Sequence, residues 1–170
     1  MQKRFCCLAV LATVLSTAPI SLADASLIAP RAAIQANYDH IYNDVRHKNL
    51  SGAMRYFATD FMSEDAINTP SNKTPPMDLA QFQRVASDYA GASQSITGYA
   101  VIQQFSLRGN QVTVTVAHHV FIVTVPNPKT GRRSRGEFAA TTQDTWIKRS
   151  QGWLMERGRG LSLRDNLHER

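Results

Sequence analysis

Apolar residues between positions 30 and 45 recur at spacings of three and four, so Ile34, Tyr38, Ile41, Tyr42 and Val45 share one face of a helix. Pro30 suits the first turn of that helix, where no intrahelical N–H is required. A second, short helix is predicted from Leu50, with Leu50, Met54 and Phe57 on one side and Asn49 or Ser51 as its cap. Residues 68–76 combine three prolines with Ser, Asn and Thr, which is loop chemistry. Asp78 then caps a third helix whose buried stripe is Leu79, Phe82, Val85, Ala86 and Tyr89 and which closes at Gly91. From Ile96 onward the period changes to two. Segments 96–107 and 111–125 are rich in Val, Ile, Thr and Phe, and Arg108-Gly109-Asn110 between them predicts a tight hairpin. A longer connection, 126–135, precedes two more strands, 136–149 and 153–161, which meet around Gln151-Gly152. Helices first and a four-stranded meander afterwards predict an α+β domain, with N-terminal helices packed on one face of a curved antiparallel sheet.

The opening residues change the picture of where this domain works. Lys3 and Arg4 precede an uncharged run from Phe5 to Ile20, and small residues follow in Ala23-Asp24-Ala25 and Ser21-Leu22-Ala23. That order predicts a signal peptide over residues 1–25, a periplasmic or secreted mature protein, and no stable membrane anchor after cleavage. The remainder is of single-domain size: a domain over residues 30–161 and a basic tail over 162–170. Both cysteines, Cys6 and Cys7, fall in the signal, so the mature part offers no disulfide and no thiolate.

The formal net charge is +6, and residues 126–170 hold ten Lys/Arg against five Asp/Glu. The basic residues of 126–135 (Lys129, Arg132, Arg133, Arg135) and those that follow (Arg157, Arg159, Arg164, Arg170) lack the interleaved aromatics of a single-stranded nucleic-acid surface. No nucleic-acid partner is expected. Nor is a metal or cofactor: no His/Cys/carboxylate cluster has ligand spacing, and no glycine-rich phosphate loop follows a strand.

Strand alternation narrows the remaining polar candidates. His118 and His119 are consecutive, so they point to opposite faces and only one can enter an interior. Both rows of that strand carry apolar residues, which predicts that both faces are covered, one by helices and the other by a second subunit. Asp144 shares a face with Phe138, Ala140, Thr142 and Trp146, away from bulk water. A buried carboxyl must be protonated or paired, and Arg157 on the next strand is one candidate partner.

Two stretches resemble a known superfamily. Lys48-Asn49-Leu50-Ser51-Gly52 followed by Tyr56-Phe57-Ala58-Thr59-Asp60-Phe61 is similar to the opening of nuclear transport factor 2-like domains. Asp144-Thr145-Trp146-Ile147-Lys148 with Gly152-Trp153 resembles their final hairpin. The resemblance implies a cone-shaped domain whose cavity opens to a small apolar molecule, in a superfamily that includes ketosteroid isomerases, scytalone dehydratases, SnoaL-type cyclases and non-catalytic binding domains. It also implies a homodimer through the open sheet face. Aligned with the ketosteroid isomerase pattern, Asp65 falls where that family keeps its catalytic base. Asp144 falls where it keeps a protonated acid that holds the enolate oxygen. The matching tyrosine position holds Ile41, but Tyr42 is adjacent and Tyr38 lies one turn earlier. Asp65 and Asp144 are thus the catalytic candidates, and Tyr38, Tyr42, His118, Trp146 and Arg157 the ligand-contacting ones. Three functions stay open: a binding domain for a small apolar molecule, an isomerase, dehydratase or cyclase, and an envelope interaction module.

Overall fold

The structure, a computed structural model, describes residues 22–65, 75–165 and 168–169, and side chains within 27–64 and 75–164. Most of the predicted signal lies outside the described residues. The elements run α1 (Leu22–Arg46), α2 (Leu50–Met54), β1 (Phe57–Asp65), β2 (Met77–Asp78) and α3 (Leu79–Ala92), then β3 (Ser93–Arg108), β4 (Gln111–Thr124), β5 (Ser134–Arg149), β6 (Gly152–Asp165) and β7 (His168–Glu169). Strands β3 to β6 form the expected antiparallel meander. The sheet order is β2-β1-β6-β5-β4-β3, with β7 beside β5.

Four details differ from the sequence pattern. Helix α1 begins at Leu22, so Pro30 lies inside it; a proline removes only its own N–H bond and crowds one carbonyl, and the helix continues. Phe57 is not the end of α2 but the start of β1, which pairs parallel with β6 and makes the sheet mixed. The α3 stripe is only partly buried: Val85 and Tyr89 are exposed because this helix roofs an opening rather than a filled core. Finally, β6 runs on to Asp165 and β7 pairs with β5, so part of the predicted tail belongs to the sheet.

Local chemistry explains where the helices sit. Asp78 accepts from the Gln81 N–H at 2.8 Å while the Gln81 side chain accepts from the Asp78 N–H at 3.0 Å, a reciprocal cap that fixes the start of α3. Asn49 caps α2 by accepting from Gly52 N at 3.2 Å and donates to Asp44 at 2.9 Å. Its amide lies where a Cβ on Gly52 would stand, so that glycine is needed for close approach. Helix α1 also blunts the exposed sheet edge: Gln35 and Arg31 donate to the carbonyls of Ala100 and Ile102 on β3 at 2.9 and 3.0 Å.

Ile34, Ile102, Val112, Val114, Val116 and Trp146 fill the closed end between α1 and the sheet. Toward the other end the layers separate. Strand β6 bends there through two bulges, at Glu156 and at Leu161, each an extra residue opposite β5. Each bulge reverses the alternation, so Met155, Gly158, Gly160 and Leu163 all face inward.

Candidate functional site

Where the layers part, a cavity of about 570 Å³ opens between α1, α3 and the concave sheet face. Its wall is mainly apolar: Ile41 and Val45 from α1, Val120 and Ile122 from β4, Phe138 and Ala140 from β5, and Met155 and Leu163 from β6. Phe57 and Phe61 of β1 meet Phe82 of α3 as an aromatic cluster, with ring centroids 4.9 to 5.4 Å apart, forming one side. The sequence pattern did not reveal this side, because β1 is irregularly paired and does not alternate cleanly.

Polar groups of the wall converge on Asp144. The carboxyl is buried and accepts from the Tyr38 hydroxyl at 2.5 Å. Trp146 Nε1–H donates to that same hydroxyl oxygen at 3.1 Å and packs edge-on to the Tyr38 ring. Thr142, two residues earlier on the same strand face, lines the cavity with Asp144 and favours its ionised form. His118 Nε2 lies 2.8 Å from Thr142 Oγ1 and His118 Nδ1 lies 2.9 Å from the Tyr42 hydroxyl, so the imidazole bridges the two hydroxyls by hydrogen bonds. The donor chain Trp146–Tyr38 thus ends on the carboxyl, and the hydrogen-bonded row Tyr42–His118–Thr142 runs beside it.

Burial sets the charge states. Desolvation raises Asp144 from 3.8 to about 6, although the polar groups of Tyr38 and Thr142 oppose the rise. Desolvation, helped by neighbouring His119, lowers His118 from 6.5 to about 4, so it is a neutral imidazole at physiological pH. Tyr38 and Tyr42 are pushed upward by burial and by Asp144 and stay protonated.

The predicted residues divide clearly. Tyr38, Tyr42, His118 and Asp144 line the cavity together. Ile41 lines it as an apolar residue, and Tyr38, one turn earlier, is the helix tyrosine that reaches Asp144. Trp146 is fully buried behind Tyr38 and does not line the cavity. Arg157 is not the partner of Asp144. Plain alternation from the Trp146–Met155 pair would put Arg157 opposite Asp144, but the Glu156 bulge puts Gly158 there and pairs Arg157 with Thr145. Arg157 lies exposed and meets Glu64 at 3.5 Å. Asp65 ends β1 opposite Gly160, and its side chain lies outside the described residues. His119 occupies the outer face, stacked on Tyr99 and 3.3 Å from Glu137. Tyr99, Val101 and Phe121 are exposed on this face, where the resemblance implies a second subunit. Thr142 was not singled out in the sequence. It sits two residues before Asp144 on the same face, and only the cross-strand pair with His118's neighbourhood gives it a role. Among the described residues no cluster of three or more metal-type ligands occurs.

Gly98 keeps this arrangement in place. A Cβ there would stand 2.6 Å from the His119 carbonyl oxygen and 2.7 Å from the Tyr42 ring. The strand cannot give way, so Gly98→Ala is expected to displace Tyr42, cost about 1–3 kcal/mol, and let water reach His118. Urea unfolding should show the loss, and an NMR titration should show the His118 pKa moving up toward 6.5; an unmoved titration would contradict the packing.

No family model matches the sequence, and no curated protein matches it. Solved structures do. A protein described as a scytalone dehydratase from Novosphingobium aromaticivorans superposes with TM-score 0.67 at 12% identity, covering 88% of this chain and 94% of that one. A LinA-type3 hexachlorocyclohexane dehydrochlorinase from Novosphingobium barchaimii gives 0.63 at 11% identity, covering 86% and 94%. The ActVI-ORFA protein from Streptomyces coelicolor gives 0.56 at 15% identity, covering 77% and 95%. The chain therefore has the nuclear transport factor 2-like cone fold. At these identities the likeness concerns fold, and function rests on the site.

Proposed function

We propose that the protein binds a small, largely apolar molecule in the cone, with one hydroxyl or carbonyl oxygen of that molecule placed against the Asp144–His118 wall. The observation that carries this reading is the cavity itself: about 570 Å³, apolar over most of its surface, with its polar groups gathered at one wall. That is the usual composition of a small-molecule site, in which apolar walls supply affinity and a few polar groups fix orientation. The signal-like N-terminus supports placing this activity in the periplasm or outside the cell.

Thermal unfolding in the presence of a panel of apolar phenols, ketones and terpenoid alcohols tests the reading. A ligand at one hundred times its dissociation constant adds about 2.7 kcal/mol, and Asp144→Ala should lose selectivity for the oxygenated members. A panel without any stabilising compound, or one that stabilises Asp144→Ala equally, argues against it.

A second reading is favoured by one feature, a carboxyl held near pH 6 beside a neutral imidazole. Such a pair suits proton transfer next to a carbonyl, as in an isomerase, dehydratase or cyclase, with Asp144 exchanging the proton and Tyr38 holding the oxygen. Asp65 as base belongs to the same reading. Deuterium exchange from solvent into a bound ketone, followed by NMR, separates catalysis from binding: exchange lost in Asp144→Asn supports it, and binding without exchange leaves a carrier.

A further inference from the structure

The cavity mouth and the β4–β5 connection lie at the same end of the molecule. Val125, which begins the connection, donates its N–H to Ala92 O at the end of α3, at 3.0 Å. Residues 126–135 hold four basic residues and no acidic one. They are not a slack tether. The Asn127 carbonyl accepts from Gly131 N at 2.7 Å and from Thr130 N at 3.3 Å, Asn127 N–H donates to Arg132 O at 2.7 Å, and the Asn127 side chain accepts from Lys129 N at 2.9 Å. Gly131, at φ 69°, supplies the left-handed residue this tight turn needs. The result is a closed knuckle that holds Lys129, Arg132 and Arg133 exposed beyond the end of the sheet.

Beside it the rim of the mouth is apolar and open to water. Tyr89 and Leu163 line the cavity yet are 59% and 57% exposed, and Val125 is 44% exposed. The acidic residues toward this end include Asp44 on α1, Glu64, which meets Arg157, and Asp65 on β1, Asp88 on α3, Glu137, which is engaged with His119, and the positions Asp165 and Glu169 late in the sheet. None lies within the knuckle.

We propose that this end docks on an anionic phospholipid surface, the knuckle meeting headgroups while Tyr89, Val125 and Leu163 enter the interface. Charge supplies the first attraction and shallow apolar insertion the second, the two signals that reversible membrane binding requires. The exposed rim side chains are mainly aliphatic, so they offer membranes more than they offer stacked bases. Docking needs no bound ligand and stands apart from the cavity reading, although it would bring the mouth to a source of apolar molecules.

Co-sedimentation of the full chain with phosphatidylcholine vesicles, with and without one third phosphatidylglycerol, tests the proposal. The protein should pellet with the anionic vesicles, stay soluble with the neutral ones, and release at high salt. Joint Lys129→Glu, Arg132→Glu and Arg133→Glu should lower partitioning on the order of 100-fold, since each basic residue near the surface contributes roughly fivefold. Leu163→Ser should lower it about tenfold with the charges intact. Circular dichroism of both variants checks that the fold is retained. Equal binding to neutral vesicles, or binding that survives the triple reversal and would then reside in the N-terminal apolar run, overturns the proposal. So does tight binding to an oligothymidine strand with none to vesicles.

Discussion

Asparagine in place of Asp144 is expected to stabilise the fold near pH 7 by about 2–3 kcal/mol while removing its preference for an oxygenated ligand. Burial raises the Asp144 pKa from 3.8 to about 6, so the native state keeps a proton that the unfolded chain releases in that interval. The contribution of this group to stability is then greatest below pH 3.8 and falls as pH rises through about 6. His118 has the opposite sign. Its pKa drops from 6.5 to about 4, so its contribution is complete above 6.5 and is lost as pH falls through about 4. Each slope is about 1.4 kcal/mol per pH unit, and between about pH 4 and 6 they oppose one another. Relative to the wild type, Asp144→Asn should gain stability as pH rises across this interval, and His118→Gln should lose it. Urea unfolding from pH 4 to 7 reads both. If the two variants track the wild type in parallel, the carboxyl and imidazole are not titrating as their burial demands.

The second large effect concerns Trp146, fully buried behind the cavity wall. Trp146→Ala should cost about 3–5 kcal/mol, the range for deleting a large aromatic from a packed core. It also removes the N–H that orients the Tyr38 hydroxyl toward Asp144. Trp146→Phe keeps most of the packing and loses only the donor, so it should cost less and act mainly on Asp144, whose pKa should shift as the Tyr38 bond loosens. Denaturant midpoints give the first quantity and an NMR carboxyl titration the second. A Trp146→Ala protein as stable as the wild type would mean that this tryptophan is not the keystone of the closed end.

Much of this architecture was legible in the sequence, and the parts that were not share a cause. The face of Ile34, Tyr38, Ile41 and Tyr42, the Asp78 cap and the meander follow from local periodicity and capping, which neighbours reinforce. That one of His118 and His119 would be interior, and Asp144 with it, follows from alternation alone. Strand β1 was hidden because its pairing is parallel, distant in sequence and irregular, so no nearby residue announces it. Arg157, named only for lying on the next strand, misses Asp144 because a bulge that no sequence pattern marks turns it outward. Trp146 shares the Asp144 face but lies deeper along the cone, a difference in depth that period two does not encode. Asp65 ends β1, and its side chain lies outside the described residues.

Those two extra residues of β6 work like frame changes in a message. Read in one uninterrupted phase, the segment from Arg157 to Arg164 would turn two guanidinium groups toward the hollow; with Glu156 and Leu161 interposed, the same letters present two glycines and a leucine instead. What keeps the lining greasy rather than cationic is therefore the two interposed positions, not the composition of the strand: were the ladder to run straight with Glu156 retained and paired, Arg157 and Arg159 would take the inward places of Gly158 and Gly160.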